Sequence, residues 1–348
     1  MEADVRTDRL LSVRNLKTYF LADEGVTKAV DGVSFDVSAG RTLGIVGESG
    51  CGKSVTALSI LRIVDDPGRI VDGEILLTKN DGTPVDLVTQ RPNGKFMRSV
   101  RGGEIGLVFQ EPMTSFSPVH TIGNQLTEAI RLHERLNKAE ARERAADLLT
   151  MVGIPRPAAT LDQYSWELSG GLRQRAMIAH ALAPDPRLLI ADEPTTALDV
   201  TTQAQILDLM MSLQEERSMA IMLITHDLGV IAETADDVVV MYLGREVEQG
   251  SVENIFYDPQ HPYTRALLRS IPALDAAPKA KLPAITGSVP HPFDRPSGCS
   301  FHPRCSEAIE GLCDIEEPET WRPAEGREVV CHLFGDREMA VSIEGRRS

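Results

Sequence analysis

The sequence predicts an α/β fold: a mainly parallel sheet covered by helices on both faces, with a helical subdomain inserted and a small irregular C-terminal extension. Three observations carry this. Short apolar runs at residues 43–46, 188–191, 221–225 and 238–243, each the length of a buried strand, alternate with segments of helical period. A glycine-rich loop links the first of these runs to a helix. Beyond about Pro259 the prolines multiply, and four of the five cysteines crowd together.

The chain has 348 residues, enough for one large domain (1–258) and a smaller appendage (259–348). Hydrophobic residues at 42% and charged residues at 25% exclude global disorder. A formal net charge of -15 repels phosphate backbones, so nucleic acid is not an expected partner. The first residues, MEADVRTDRL, carry no secretory pattern, and no run approaches the ~18 apolar residues of a spanning helix. A soluble chain is expected, with any membrane role exercised through partners.

In order along the chain, residues 10–37 are patterned as strands in LLSVRNL and AVDGVSFDV. A strand at 43–46 leads into the loop 47–52 and then a helix at 53–64. Strands are expected at 70–77 and 105–109. The polar stretch between them, TKNDGTPVDLVTQRPNGK, has the composition of a surface insertion. Residues 121–152 turn helical and charged, within a helical subdomain at about 111–166. Helices at 170–182 and 201–217 then alternate with strands at 188–191 and 221–225.

Gly47, Glu48, Ser49, Gly50, Cys51, Gly52, Lys53 and Ser54 complete the phosphate-loop pattern G-x-x-x-x-G-K-S in its strand-to-helix context. Glycines let the backbone curl its amides around an anion, and the helix N-terminus adds partial positive charge. Lys53 is expected on the β- and γ-phosphates of ATP and the Ser54 hydroxyl on Mg2+, with Val55 completing the nucleotide-binding set. The strand at 188–191 runs into Asp192 and Glu193. Two adjacent carboxylates there are costly unless they bind metal or water. Asp192 is expected to hold Mg2+, and Glu193 to polarise the attacking water as general base.

A phosphate loop and an acid strand fit many NTPases. Leu168-Ser169-Gly170-Gly171-Leu172-Arg173-Gln174-Arg175 narrows the choice, because it resembles the LSGGQ-type signature of ABC ATPases and lies just before the acid strand. The fifth signature residue is Leu172 rather than Gln. The resemblance implies an ABC-type P-loop ATPase domain, a head-to-tail dimer, and two ATP molecules at its interface. Ser169, Gly170 and Gly171 would then cap the γ-phosphate held by the opposite subunit. It further implies that Gln110 senses Mg2+ from the Q-loop, that Ala197-Leu198-Asp199 is the D-loop, and that His226 is the switch histidine on the γ-phosphate. An aromatic, Phe20 or Tyr19, would stack on adenine. This likeness covers about residues 10–255.

Three further segments are similar to oligopeptide and dipeptide importers, a group that also takes nickel and some oligosaccharides. They are FQEPMTSFSP at 109–118, HPYTRALL at 261–268 with Ser270-Ile271-Pro272 behind it, and Gly298-Cys299-Ser300-Phe301-His302-Pro303-Arg304-Cys305. They extend the likeness to about residue 335. The implied protein is an ATPase subunit at the cytoplasmic face of the cell membrane. Its implied partners are two permease subunits, a second, similar ATPase and an extracytoplasmic solute-binding protein, with the helical subdomain receiving the permease's coupling helix. The rival class is a non-transport ABC ATPase. Translation factors of that class usually carry two cassettes in one chain, and its repair proteins carry a long coiled coil; neither is seen here.

Cys299, Cys305, Cys313 and Cys331 leave gaps of five, seven and seventeen residues. In a reducing cytosol such a cluster points to metal before disulfides. Four thiolates hold a [4Fe–4S] cluster or a tetrahedral Zn2+, and the paired C-x-x-C of common zinc sites is missing. The resembled group implies the iron–sulfur cluster. Cys51, alone in the phosphate loop, reads as a small loop residue.

Overall fold

The computed structural model describes residues 9–23, 25–111, 115–196, 198–270, 285–291 and 293–334. Pro112, Met113, Thr114, Ala197, Ile271 and Pro272, singled out above, lie outside the described residues. In chain order the elements begin with strands β1 (Arg9–Ala22), β2 (Gly25–Ser38) and β3 (Thr42–Val46), helix α1 (Lys53–Ile60), β4 (Gly68–Thr78), β5 (Pro84–Asp86), α2 (Lys95–Val100) and β6 (Ile105–Val108). Helices α3 (Ile122–His133), α4 (Lys138–Met151), α5 (Pro157–Thr160) and α6 (Gly170–Leu182) follow. Then come β7 (Leu188–Asp192), α7 (Val200–Arg217), β8 (Ala220–Ile224), α8 (Leu228–Thr234), β9 (Asp237–Tyr242) and β10 (Arg245–Ser251). The last elements are α9 (Val252–Tyr257), α10 (Pro262–Arg269), β11 (Thr320–Ala324) and β12 (Arg327–Val330).

Two sheets result. The smaller, in the order β2-β1-β4-β5, is antiparallel. The larger runs β11-β12-β10-β9-β3-β8-β7-β6. The block from β9 to the β6 edge, β9-β3-β8-β7-β6, is parallel. The continuous apolar runs are explained by burial on both faces. Leu188 and Ile190 of β7, with Ala220, Met222 and Ile224 of β8, join the core shared with the smaller sheet. Leu189, Ala191, Ile221 and Leu223 join the opposite core, which also holds Ile122, Leu126 and Ile130 of α3 and Ala141, Ala145 and Leu148 of α4.

The helical subdomain is locally specified. Thr121 caps α3 by accepting from the Asn124 N–H, and Asn137 with Glu140 forms a capping box at the start of α4. The charges of α4 at Arg142, Glu143 and Asp147 face solvent. Helix α1 stops earlier than its apolar spacing suggests. Arg62 turns left-handed (φ 55°), the Ile63 N–H bonds the Leu58 carbonyl, and the Arg62 N–H bonds that of Ser59. This reciprocal pair closes the helix, and the Arg62 guanidinium holds the bend by donating to the carbonyls of Leu87 and Val88. The polar stretch expected as a surface insertion is partly drawn into the core. β5 pairs with β4 and Leu87 is buried, as are Met97 and Val100 just beyond the stretch.

The described part of the cysteine-bearing extension is mostly irregular, yet it is tied to the larger sheet. β12 pairs with β10 through Glu248↔Val329 and Gln249↔Glu328. The buried Glu248 carboxylate accepts from the N–H groups of Gln260 (2.8 Å) and His261 (2.9 Å). Tyr242 of β9 packs against Tyr263 and Phe301 of the extension, with ring centroids 4.8 and 5.3 Å away. A second tie gathers on Asp31 of β2, which is 6% exposed. It accepts from the Tyr19 hydroxyl (2.5 Å) and from Arg245 (2.9 Å), and Arg295 of the extension also reaches it.

Burial alone would raise the Asp31 pKa, but the hydrogen bonds from Tyr19 and Arg245 and the charges of Arg295 and Arg245 outweigh it, bringing it down to about 2. A folded-state pKa below the unfolded value near ~3.9 gives stability that is present above about pH 4 and lost as pH falls toward 2. Asp31→Asn should therefore cost about 2 kcal/mol at neutral pH and flatten the acid side of the Tm-against-pH curve. An unchanged acid slope in thermal denaturation would remove this cluster as its source.

Candidate nucleotide site

The loop at 47–54 leaves the C-terminal end of β3 and enters α1. Its curl requires glycine at two positions. Gly52 sits at φ 98°, where an added Cβ would lie 2.2 Å from the Ala29 carbonyl oxygen. Gly47 carries the same constraint, 2.2 Å from the Met241 carbonyl oxygen. Gly52 caps α1 without a side-chain acceptor, so the leading amides of the helix keep their capacity for an anion. Ser49 and Gly50 form the exposed tip, while Ser54 and Val55 are half-buried on the first turn. Lys53 is buried, and its Nζ donates to the carbonyls of Gly47 (2.8 Å) and Glu48 (3.1 Å). Cys51 is also buried, and burial pushes its thiol pKa up despite the neighbouring Lys53.

Strand order decides what else meets this loop. β3, β8, β7 and β6 are neighbours and parallel, so their C-terminal ends share one edge. Lys53 follows β3, His226 follows β8, Asp192 and Glu193 end β7, and Gln110 follows β6. Glu193 lies at their meeting point. Its Oε2 accepts from Gln110 Nε2 (3.0 Å) and the Thr196 hydroxyl (2.9 Å), and its Oε1 accepts from His226 Nδ1 (3.2 Å). Burial raises its pKa, but the His226 and Thr196 hydrogen bonds and the charges of His226 and Lys53 bring it below the usual carboxylate range. The residue is left-handed (φ 46°), an uncommon state for glutamate, and its N–H is fixed to the Ile224 carbonyl (2.8 Å). Asp192 differs. Burial and then the adjacent Glu193 raise its pKa, against the Ser54 hydroxyl and Lys53. Its buried Oδ1 has no hydrogen-bond partner among the described residues. An orphaned buried carboxylate oxygen beside a hydroxyl suits a hard divalent cation such as Mg2+.

Ser169 caps α6 by accepting from the Leu172 N–H, and Ser169 and Gly170 are exposed at the start of that helix. The signature lies against the start of α7: an added Cβ on Gly170 would sit 3.7 Å from Leu198 Cδ2, and one on Gly171 2.9 Å from Thr202 Cγ2. Asp199 caps α7, accepting from the N–H and hydroxyl of Thr202 (3.0 and 2.7 Å). The start of α6 thus lies against Leu198 and the start of α7, where Ser169, Gly170 and Asp199 are exposed. Of the two aromatics, Tyr19 is tied to Asp31 with the Lys28 ammonium 5.6 Å from its ring, and Phe20 lies against Gly68.

The four C-terminal cysteines lie within electrostatic reach of one another. Burial first, then Cys299, Cys305 and Cys313, push Cys331 up to about 12; burial also raises Cys299, and Cys305 to about 11. Backbone N–H groups of Glu307 and Ile309 lie 3.4 and 3.3 Å from the sulfurs of Cys305 and Cys313. Among the described residues, however, no three His, Cys, Asp or Glu side chains are gathered as a metal-holding group.

Comparison with known proteins agrees with this geometry. Residues 30–196 match the family model for ABC transporters, and residues 247–313 match the model for the oligopeptide/dipeptide transporter C-terminal region. The chain is 50% identical over 332 residues to a probable peptide ABC transporter ATP-binding protein of Sinorhizobium fredii, covering 95% of this chain and 97% of that one. It is 47% identical over 323 residues to a dipeptide transport ATP-binding protein of Escherichia coli, covering 93% and 96%. The chain belongs to the ABC transporter ATP-binding subunits of the oligopeptide/dipeptide importer type. A dimeric bacterial ABC transporter cassette has the same architecture, with a TM-score of 0.61 at 25% identity over 70% of this chain and 98% of that one.

As an ABC subunit the chain is an ATPase coupled to transport, and the non-transport alternative is set aside by the match at 247–313. Among the described residues no helix is long and apolar enough to cross a membrane. Gly50 of the loop lines a small cavity with Lys28, Ala29, Gly244 and Arg295. A cavity of about 520 Å³ lies elsewhere, lined by Arg14, Ser34, Asp36, Glu246 and Glu328 among others, and shares none of these residues. Sequence reasoning missed Thr196, although its position three residues after Glu193 was a usable signal, and missed what holds Glu48, for which no local signal exists.

A raised folded-state pKa makes ionised Asp192 destabilising at neutral pH, so this stability returns only as pH falls. Asp192→Asn should raise the Tm of the nucleotide-free subunit by a few degrees, about 1 kcal/mol corresponding to roughly 2–4 °C, while lowering Mg2+-dependent ATP hydrolysis. A lowered Tm in calorimetry would contradict the unpartnered-charge reading.

Proposed function

We propose that this subunit powers uptake of oligopeptides, dipeptides or a related solute, hydrolysing Mg-ATP at the edge formed by β3, β8, β7 and β6. The observation that carries this is the convergence of Gln110, Thr196 and His226 on Glu193, beside Lys53 and Asp192. Lys53 takes the β- and γ-phosphates once they displace its contacts to Gly47 and Glu48. Asp192, Ser54 and the Gln110 carbonyl oxygen would hold Mg2+, which supplies neutralisation of phosphate charge. Glu193 is ionised at neutral pH and orients the attacking water, with His226 close enough to sense the γ-phosphate. Ser169 and Gly170, both exposed, with Gly171 and Asp199 face a second, similar ATPase subunit, whose nucleotide the signature caps. Adenine stacks on Phe20 or Tyr19.

The proposed assembly places the subunit on the cytoplasmic face of the cell membrane. Two permease subunits contact the helical subdomain, and an extracytoplasmic binding protein delivers the solute. Support comes from the relatives' descriptions and from the exposed Val119 and Trp166 on that subdomain. The four cysteines are proposed to hold a [4Fe–4S] cluster, with Zn2+ the competing occupant, which requires their sulfurs to close in on it. Their mutual reach and two N–H groups near sulfur support this.

Purification from native membranes should bring two multi-span permeases and a second ATPase; ribosomes, DNA or no membrane protein would overturn the transport reading. In the assembled transporter Glu193→Gln should reduce turnover by at least about a hundredfold and trap bound ATP, and full turnover would remove Glu193 as base. Thr196→Val deletes a bond to the ionised carboxylate, so the acid limb of the ATPase pH profile should move to higher pH. Anaerobic preparations should contain iron and acid-labile sulfide, both lost in Cys305→Ser. Zinc would replace the cluster assignment, and metal-free protein would end both.

A further inference from the structure

We propose that Arg304, within the cysteine-bearing extension, is a positioning residue for ATP binding: it holds the phosphate loop in its curl by clamping Glu48. The pair is a two-pronged fork. Arg304 Nη1 lies 2.7 Å from Glu48 Oε2 and Nη2 3.0 Å from Oε1, with Arg304 4% exposed and Glu48 25%. The remaining donors fix the guanidinium: Nε bonds the Thr286 carbonyl (3.1 Å), and Nη1 also reaches the Tyr242 hydroxyl (3.4 Å). The Glu48 backbone is held as well, its N–H donating to the Tyr263 hydroxyl (3.0 Å). Glu48 in turn offers its carbonyl to Lys53 Nζ (3.1 Å), so one residue separates the Arg304 clamp from the phosphate-binding ammonium.

A second contact backs the other side of the loop. Arg295 donates to the Leu243 carbonyl, and the next residue, Gly244, donates its N–H to the Cys51 carbonyl (2.9 Å). The phosphate-loop motif leaves the Glu48 position free, and a carboxylate one residue into an anion-binding loop opposes its ligand unless it is neutralised and turned away. Arg304 does both, from some 250 residues further along the chain.

The inference rests on the assignment of 47–54 as the phosphate loop, and Lys53→Ala controls for it. The test is equilibrium binding of a ribose-labelled fluorescent ATP to the full chain, with Tm measured in parallel. Arg304→Gln should weaken binding about tenfold, and Glu48→Gln should weaken it without adding to the loss in the double variant, since both act through one contact. Arg304→Lys keeps the charge but not the fork, so it should fall between; it also serves if Arg304→Gln does not fold. A shift in Tm with unchanged ATP affinity, or losses that simply add, would overturn the proposal. Unchanged affinity in Lys53→Ala would instead sink the loop assignment itself.

Discussion

The parallel alignment of β3, β8, β7 and β6 is the constraint on which the rest of the molecule depends. Parallel neighbours end on the same edge, so the residues that follow them are brought together however far apart they lie in the chain. Such strands must be buried on both faces, which explains Leu188 to Ala191 and Ala220 to Ile224 as unbroken apolar runs. The smaller antiparallel sheet covers one face, and the helical subdomain with its neighbouring helices covers the other. Remove either cover and the edge that carries Lys53, Asp192, Glu193, Gln110 and His226 loses its support.

At that edge two adjacent carboxylates are held in opposite electrostatic conditions. Glu193 is exposed enough to collect three side-chain donors, and they keep it ionised. Asp192 is buried with one oxygen unpartnered among the described residues, a state that favours a cation over water. The left-handed backbone at Glu193 turns the two side chains into these different surroundings, and its N–H bond to Ile224 shares the cost of that conformation with the sheet.

The C-terminal extension is bound to the ATPase domain by chemistry of several kinds: a strand pair, a buried glutamate, an aromatic cluster and two arginines. Both arginines end on residues that shape the nucleotide loop. Arg304 stands directly before Cys305, so the four-cysteine region and the phosphate loop are mechanically adjacent although they are distant in sequence.

By itself the sequence determined everything that depends on local order. The G-x-x-x-x-G-K-S loop, the LSGG segment, the acid pair and the apolar periods are each contained within a few residues, and they are enough to define the fold class, the nucleotide motifs and the family. Although its division into α3 and α4 was not read, the helical character of residues 121–152 was legible. The end of α1 was not, because Arg62 is held left-handed by carbonyls at Leu87 and Val88 that no local pattern announces. Only the tertiary structure decided which donors converge on Glu193, that the extension adds β12 to the main sheet, and that Arg304 reaches Glu48. Each is a contact between side chains or strands tens to hundreds of residues apart, set by strand order and packing rather than by neighbouring residues.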